Sequence, residues 1–281
     1  MSKMVLRSVL LGALMIFSIS TQAQLTLGII PAENNEQAVA RFEPVRQDLE
    51  AQLGQSVRVF QATDYTGIVE AMRRGRVDVA WFGPVSGVLA YRQANAVPFA
   101  VGVSSSTGVS SYHALILVRA DSDLHTLADL EGRNVAFVDP ASTSGGLVPS
   151  YMVMSQFGKG PEEFFGRFNY AGTHDASVMA LVNGSVDGAA VADFLLNNMT
   201  ERGLVDMNDF RIVATSQPVP GPPMMVRRDL GPELRAQLVE VFTTLHERMD
   251  TVIGMGDYSH YEEATIEDYQ IIIEMMDMGL L

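Results

Sequence analysis

Cysteine is absent from all 281 residues. A chain without disulfides must be held by its own core, and it offers no thiol for a lipid anchor at a processed N-terminus. Positive charge is also scarce: 19 Lys and Arg stand against 33 Asp and Glu, a formal net charge of −14. That balance argues against nucleic acid and anionic membrane surfaces as partners. Beyond the first residues, no segment is apolar for long enough to span a bilayer. The start of the chain carries an apolar run that is itself too short to span one comfortably. Lys3 and Arg7 precede an apolar run over residues 9–19, and Thr21-Gln22-Ala23 supplies small residues where a signal peptidase reads. Residues 1–23 are therefore expected to be a removed signal peptide. About 258 residues with a charge near −16 would then be free in a periplasm.

From Leu25 onward strand and helix signals alternate, the pattern of a mostly parallel sheet flanked by helices. Residues 25–30, 57–60 and 77–82 read as strands, with helical patterns between them that stop at Gly54 and Gly75. The order then recurs: residues 135–138, 168–171 and 186–191 read as strands, with helices stopping at Gly158 and Gly184. The recurrence keeps a single offset of 109 residues. Pro31-Ala32 maps onto Pro140-Ala141, and Gly75-x-Val77-Asp78-x-Ala80 onto Gly184-x-Val186-Asp187-x-Ala189. Two α/β lobes of similar construction follow. Residues 24–114 with 217–281 are assigned to lobe one and residues 115–216 to lobe two, with two hinge strands between them. Residues 230–281 are expected to be mostly helical, with Met249, Met255, Met275, Met276 and Met278 as packing residues.

Ligands of open parallel sheets bind beyond the carboxyl ends of the strands. There the chain places Pro140-Ala141-Ser142-Thr143-Ser144-Gly145-Gly146, three hydroxyls and two glycines at a helix start. Free backbone N–H groups, the positive helix end and donor hydroxyls suit an oxyanion. One hydroxyl would suffice for an N-cap; three in a row point to a ligand. Tyr65 and His174 share the 109-residue offset, each between a strand and a helix of its own lobe, and form a pincer of two polar rings. A bound anion is expected to favour the charged form of His174. Tyr112 opens the first hinge strand. Asp193, at the start of the helix after Val191, is a further candidate for a cationic group on the ligand. Trp81 and Phe82 either line the cleft or fill lobe one. The five histidines show no metal-ligand spacing, and neither a metal nor a cofactor is expected.

The stretches Tyr65-Thr66-Gly67-Ile68-Val69-Glu70-Ala71, Val77-Asp78-Val79-Ala80-Trp81-Phe82-Gly83-Pro84, Tyr112-His113, Asp129-Leu130-Glu131-Gly132-Arg133, Asp139-Pro140-Ala141-Ser142-Thr143-Ser144-Gly145 and Gly172-Thr173-His174 give the chain a recognisable signature. It resembles the phosphonate-binding periplasmic proteins of ABC importers, which include phosphite binders. The resemblance implies a type II periplasmic-binding fold and ligand contacts from Tyr65, Tyr112, Ser142, Thr143, Ser144 and His174. One position departs from the family. Where it commonly carries an aspartate that accepts a ligand proton, this chain has Pro222, within Pro220-Gly221-Pro222-Pro223. The expected function is capture of a phosphonate, phosphite or phosphate-like oxyanion, by a monomer, for an ABC permease. A membrane sensor is the alternative recipient. A hydrolase with Ser144 as nucleophile and His174 as base is a third reading, weakened by the absence of a Gly-x-Ser-x-Gly elbow.

Overall fold

A computed structural model describes residues 24–249, 252–253 and 257–280; the expected signal peptide and Met255 lie outside the described residues. The strands form two mixed sheets and a short ribbon. The first sheet runs, edge to edge, Val252–Ile253, Asp257–Glu263, Ala96–Ser104, Pro223–Arg227, Val79–Trp81, Leu25–Ile29 and Val57–Gln61. The second runs Phe210–Thr215, Ala114–Arg119, Gly188–Ala192, Asn134–Phe137 and Arg167–Tyr170. Each sheet has three parallel strands bordered by one antiparallel strand that arrives from the other lobe. Those two incoming strands, Ala114–Arg119 and Pro223–Arg227, are the crossings between lobes. Beside them Val219–Pro220 pairs with Ser111–Tyr112 as a two-stranded ribbon.

The inner parallel strands Leu25–Ile29 and Gly188–Ala192 are buried on both faces, all five residues of each, so their sequence shows no polar alternation, whereas the edge strands Val57–Gln61 and Arg167–Tyr170 are partly open to solvent. The 109-residue repeat is real in three dimensions. Tyr65–Arg73 and His174–Val182 are equivalent nine-residue helices. Asp64 caps the first by accepting from the Gly67 N–H, and Thr173 caps the second by accepting from the Ala176 N–H. Gly75 (φ 70°) and Gly184 (φ 69°) follow the two helices in the left-handed region that glycine tolerates. Asp78 then accepts from the Thr26 N–H at 2.9 Å and Asp187 from the Asn134 N–H at 3.0 Å, so each acid ties its strand to the neighbouring one.

Residues 230–281 are less helical than expected. Pro232–Thr243 and Gln270–Asp277 are helices, but Asp257–Glu263 is a strand paired with Ala96–Ser104. Tyr258 and Tyr261 both point inward although three residues apart, because a register shift between Tyr258 and His260 breaks the strand alternation, which hides the strand from a sequence reading. Of those methionines, Met275 is buried, Met249 and Met276 pack on the core, and Met278 is exposed. Ala96–Ser104 itself has no counterpart in the sequence reading, because Pro98 and Gly102 break its pattern. Pro98 sits beside a register shift opposite Met225, where a missing N–H is tolerated. Gly102 lies flat under Tyr258, whose ring would be 2.3 Å from any Cβ there.

Candidate oxyanion site between the lobes

The loop after Asn134–Phe137 begins the site. Ser142 caps a wide turn, Thr143–Leu147, in which the Leu147 N–H reaches back five residues to the Ser142 carbonyl at 3.0 Å. Such π-turns recur at functional sites because they widen the helix mouth. The Ser142 hydroxyl accepts from the Gly145 N–H at 3.1 Å. Both glycines are sterically required: a Cβ on Gly145 would lie 2.2 Å from Val138, and one on Gly146 would lie 2.4 Å from the Asp139 carbonyl oxygen. The turn continues into the helix Val148–Phe157. The N–H groups of Thr143 and Ser144 therefore stand at a helix start, with no carbonyl one turn back.

Five of the expected contact residues are almost fully buried: Tyr65 at 1%, Ser142, Thr143 and Ser144 at 2%, and His174 at 3% exposure; Tyr112 is at 8%. These six line one narrow space of about 20 Å³, together with Trp81, Gly83, Phe194, Leu195, Pro222 and the loop after the first strand. That is more than tenfold below the ~300–1,000 Å³ of drug-sized sites, so only a ligand of very few heavy atoms suits it. Lobe one contributes Tyr65 and Trp81, lobe two the Ser142–Ser144 turn and His174, and the crossings Tyr112 and Pro222. The lobes are closed on it. The Val85 N–H donates to the Thr143 hydroxyl at 2.9 Å, the His174 N–H to the Ala32 carbonyl at 2.9 Å, and the Asn34 N–H to Asp175 at 3.1 Å. Glu33, buried, bonds Arg41 of its own lobe at 3.0 Å and Arg202 of the other at 3.5 Å.

The protons of the site are aimed. The Ala192 N–H donates to His174 Nδ1 at 3.2 Å. A nitrogen that accepts carries no proton, so the neutral ring holds its proton on Nε2 and can donate it. Burial pushes this imidazole down to about 3. With Nδ1 already engaged and the surroundings opposing charge, the ring is neutral before any anion arrives. Burial also pushes the Tyr65 and Tyr112 hydroxyls up, so both remain protonated donors. The Tyr112 hydroxyl lies against those of Ser144 and Thr143. The Tyr65 hydroxyl approaches Ser142, and Trp81 Nε1 approaches Tyr258, yet neither makes a hydrogen bond of ordinary geometry. The buried Tyr65 hydroxyl, on a residue that lines the cavity, is thus without a partner, a costly arrangement unless a ligand accepts from it.

Asp193 is placed elsewhere. Its carboxylate accepts from the His113 N–H at 3.0 Å and the Phe194 N–H at 2.7 Å, fastening the crossing to the start of Asp193–Glu201. The lining residue is its neighbour Phe194, whose ring meets Tyr112 edge-on at 5.2 Å. Phe82 fills the core of lobe one, whereas Trp81 lines the cavity while packing on Phe42. Sequence reasoning did not single out Phe194, Leu195 or Gly83. All three follow strand ends, the one signal that could have found them.

Two lobes that close over a small, donor-lined cavity define a solute-binding protein of the type II periplasmic-binding fold. The family described as "ABC transporter, phosphonate, periplasmic substrate-binding protein" matches residues 27–269, and the chain belongs to it. It is 34% identical over 230 residues to the Phosphate-import protein PhnD of Mycolicibacterium smegmatis, covering 78% of this chain and 70% of that one. It is 32% identical over 222 residues to the Phosphonates-binding periplasmic protein of Escherichia coli, covering 78% of this chain and 65% of that one. The structure of PhnD1 from Prochlorococcus marinus in complex with methylphosphonate shares the fold, with a TM-score of 0.82, 21% identity, and coverage of 92% of this chain and 99% of that one.

Proposed function

We propose that this chain captures a phosphonate, phosphite or phosphate ion between its lobes in the periplasm and delivers it, chemically unchanged, to an ABC permease in the inner membrane. The observation that carries the reading is the convergence of Tyr65, Trp81, Tyr112, the Ser142–Ser144 turn and His174 on one cavity, with the buried Tyr65 hydroxyl unpartnered. Hydrogen bonds to a charged group contribute about 1.5–3 kcal/mol each, so three or four can offset the costs of association and closure. A ligand that touches both lobes only in the closed state shifts the open–closed balance, and closure gives the permease a distinct surface to recognise.

The histidine geometry supports capture over hydrolysis. With Nδ1 accepting from Ala192 and the proton on Nε2, His174 has no free lone pair to take a proton from Ser144. Isothermal calorimetry with methylphosphonate, phosphite, phosphate and sulfate tests the proposal. Micromolar or tighter binding of at least one phosphorus oxyanion is expected. Folded protein that binds none of them would remove it.

A further inference from the structure

The side chains that line the cavity without a hydrogen-bonding group are Ile30, Ala32, Ala192, Phe194, Leu195 and Pro222. The oxygens of a bound oxyanion turn toward the donors on Tyr65, Tyr112, the Ser142–Ser144 turn and His174, so any further substituent on the ligand is left to this apolar wall. Ile30, Ala32, Ala192 and Leu195 belong to the buried core, and nothing passes them without displacing packed side chains. Phe194 and Pro222 are different. Together with Tyr112 they also line a second space, of about 80 Å³, whose other walls include the exposed Thr107, Val109 and Asn197. These three residues are therefore the partition between the cavity and a pocket that opens at the surface.

The partition is stiff at Pro222. Just before it, the Gly221 N–H donates to the Ser110 carbonyl at 2.7 Å, and the Gly221 carbonyl accepts from the buried Tyr269 hydroxyl at 3.1 Å. Just after it, the Pro223 carbonyl accepts from the Phe82 N–H at 3.0 Å. The pyrrolidine ring fixes φ between these anchors, so the wall has no hinge of its own. Tyr112 and Phe194, edge-on at 5.2 Å, complete it.

We infer that Pro222 is a specificity-determining plug. With Phe194 and Tyr112 it limits the ligand to an oxyanion whose substituent is no larger than a methyl group, and it stands where a longer substituent would pass into the neighbouring pocket. This rests on the oxyanion-capture reading and narrows it to phosphate, phosphite and methylphosphonate. A cavity of about 20 Å³ leaves no slack for a longer chain. Each methylene forced against a pinned wall corresponds to a loss of about 10- to 200-fold in affinity.

The test is calorimetry with phosphite, phosphate, methylphosphonate and butylphosphonate on the wild-type chain and on Pro222→Ala, Phe194→Ala and Leu195→Ala, each checked by its melting curve. In the wild type, butylphosphonate should bind at least about 100-fold more weakly than the tightest of the three small ions. Pro222→Ala and Phe194→Ala breach the partition, and each should shrink that ratio at least about tenfold; if one fails to fold, the other carries the test. Leu195→Ala enlarges the cavity on its core side, with no path to the second pocket, and should leave butylphosphonate excluded. Wild-type chain that binds butylphosphonate as tightly as the small ions overturns the inference and leaves oxyanion capture standing. So do folded partition variants that keep the full ratio, or a Leu195→Ala that shrinks it as far as Pro222→Ala does. Folded wild-type chain that binds none of the four ions overturns both.

Discussion

Thr143→Val removes a hydroxyl that belongs to lobe two and caps a helix of lobe one. In the closed molecule Thr143 Oγ1 accepts from the Val85 N–H at 2.9 Å, at the start of Pro84–Gln93. Valine keeps the shape and loses the acceptor. In the open state the Val85 N–H meets water whichever residue is at 143, so the variant costs that state little. In the closed state the N–H is buried and orphaned, which costs about 1–3 kcal/mol. Because the ligand is held only by closed molecules, the whole penalty falls on binding, a loss of about 5- to 150-fold. The assay pairs calorimetry with scattering measurements of the ligand-free radius of gyration and with urea unfolding of the ligand-free chain. Thr143→Ser, which restores an oxygen, should recover most of the affinity. Wild-type affinity in Thr143→Val, or an equal loss of stability in the ligand-free protein, would refute a closure-specific role for this contact.

Gly146→Ala should weaken ligand binding at least tenfold and lower stability by about 1–3 kcal/mol in urea unfolding, because its Cβ would lie 2.4 Å from the Asp139 carbonyl oxygen and backbone has to move. Gly102→Ala should destabilise by a similar ~1–3 kcal/mol in urea unfolding, through the Tyr258 ring 2.3 Å away. His174 is held neutral by burial down to about 3, so between that value and the unfolded pKa near 6.5 the unfolded chain binds one proton more. Its contribution is complete above about pH 6.5 and falls by about 1.4 kcal/mol per unit on acidification. Urea unfolding at saturating ligand should show that loss in wild type relative to His174→Gln, and parallel pH profiles would contradict the buried neutral ring.

Much of this was legible in the sequence because it depends on local order. The 109-residue repeat placed Tyr65 and His174 at the first turns of equivalent helices, and the Ser142–Ser144 turn followed a strand end as open sheets require. The rest depends on contacts across distance. No local pattern announces that Asp257–Glu263 joins a strand over 150 residues upstream, or that Gly102 is small because Tyr258 covers it. Asp193 looked like a ligand group because acid next to a strand end is chemically conspicuous. Its oxygens went instead to the N–H groups of His113 and Phe194, one of them 80 residues away in the chain. The protonation of His174 was likewise invisible, since it follows from the Ala192 N–H meeting Nδ1.

The crossings end in arginines packed over glycines. Arg119 lies against Gly184 and Arg227 against Gly75, and Arg227 also pairs with Asp78 at 3.0 Å. Each crossing is therefore clamped deep in its host lobe, and the second reaches its clamp through a short strap after Phe210–Thr215. That strap holds Pro218, Pro220, Pro222 and Pro223, whose fixed φ angles leave few ways to swing. A jaw on so stiff a pivot has little freedom to surrender on shutting, which lets a ligand of very few atoms hold it shut.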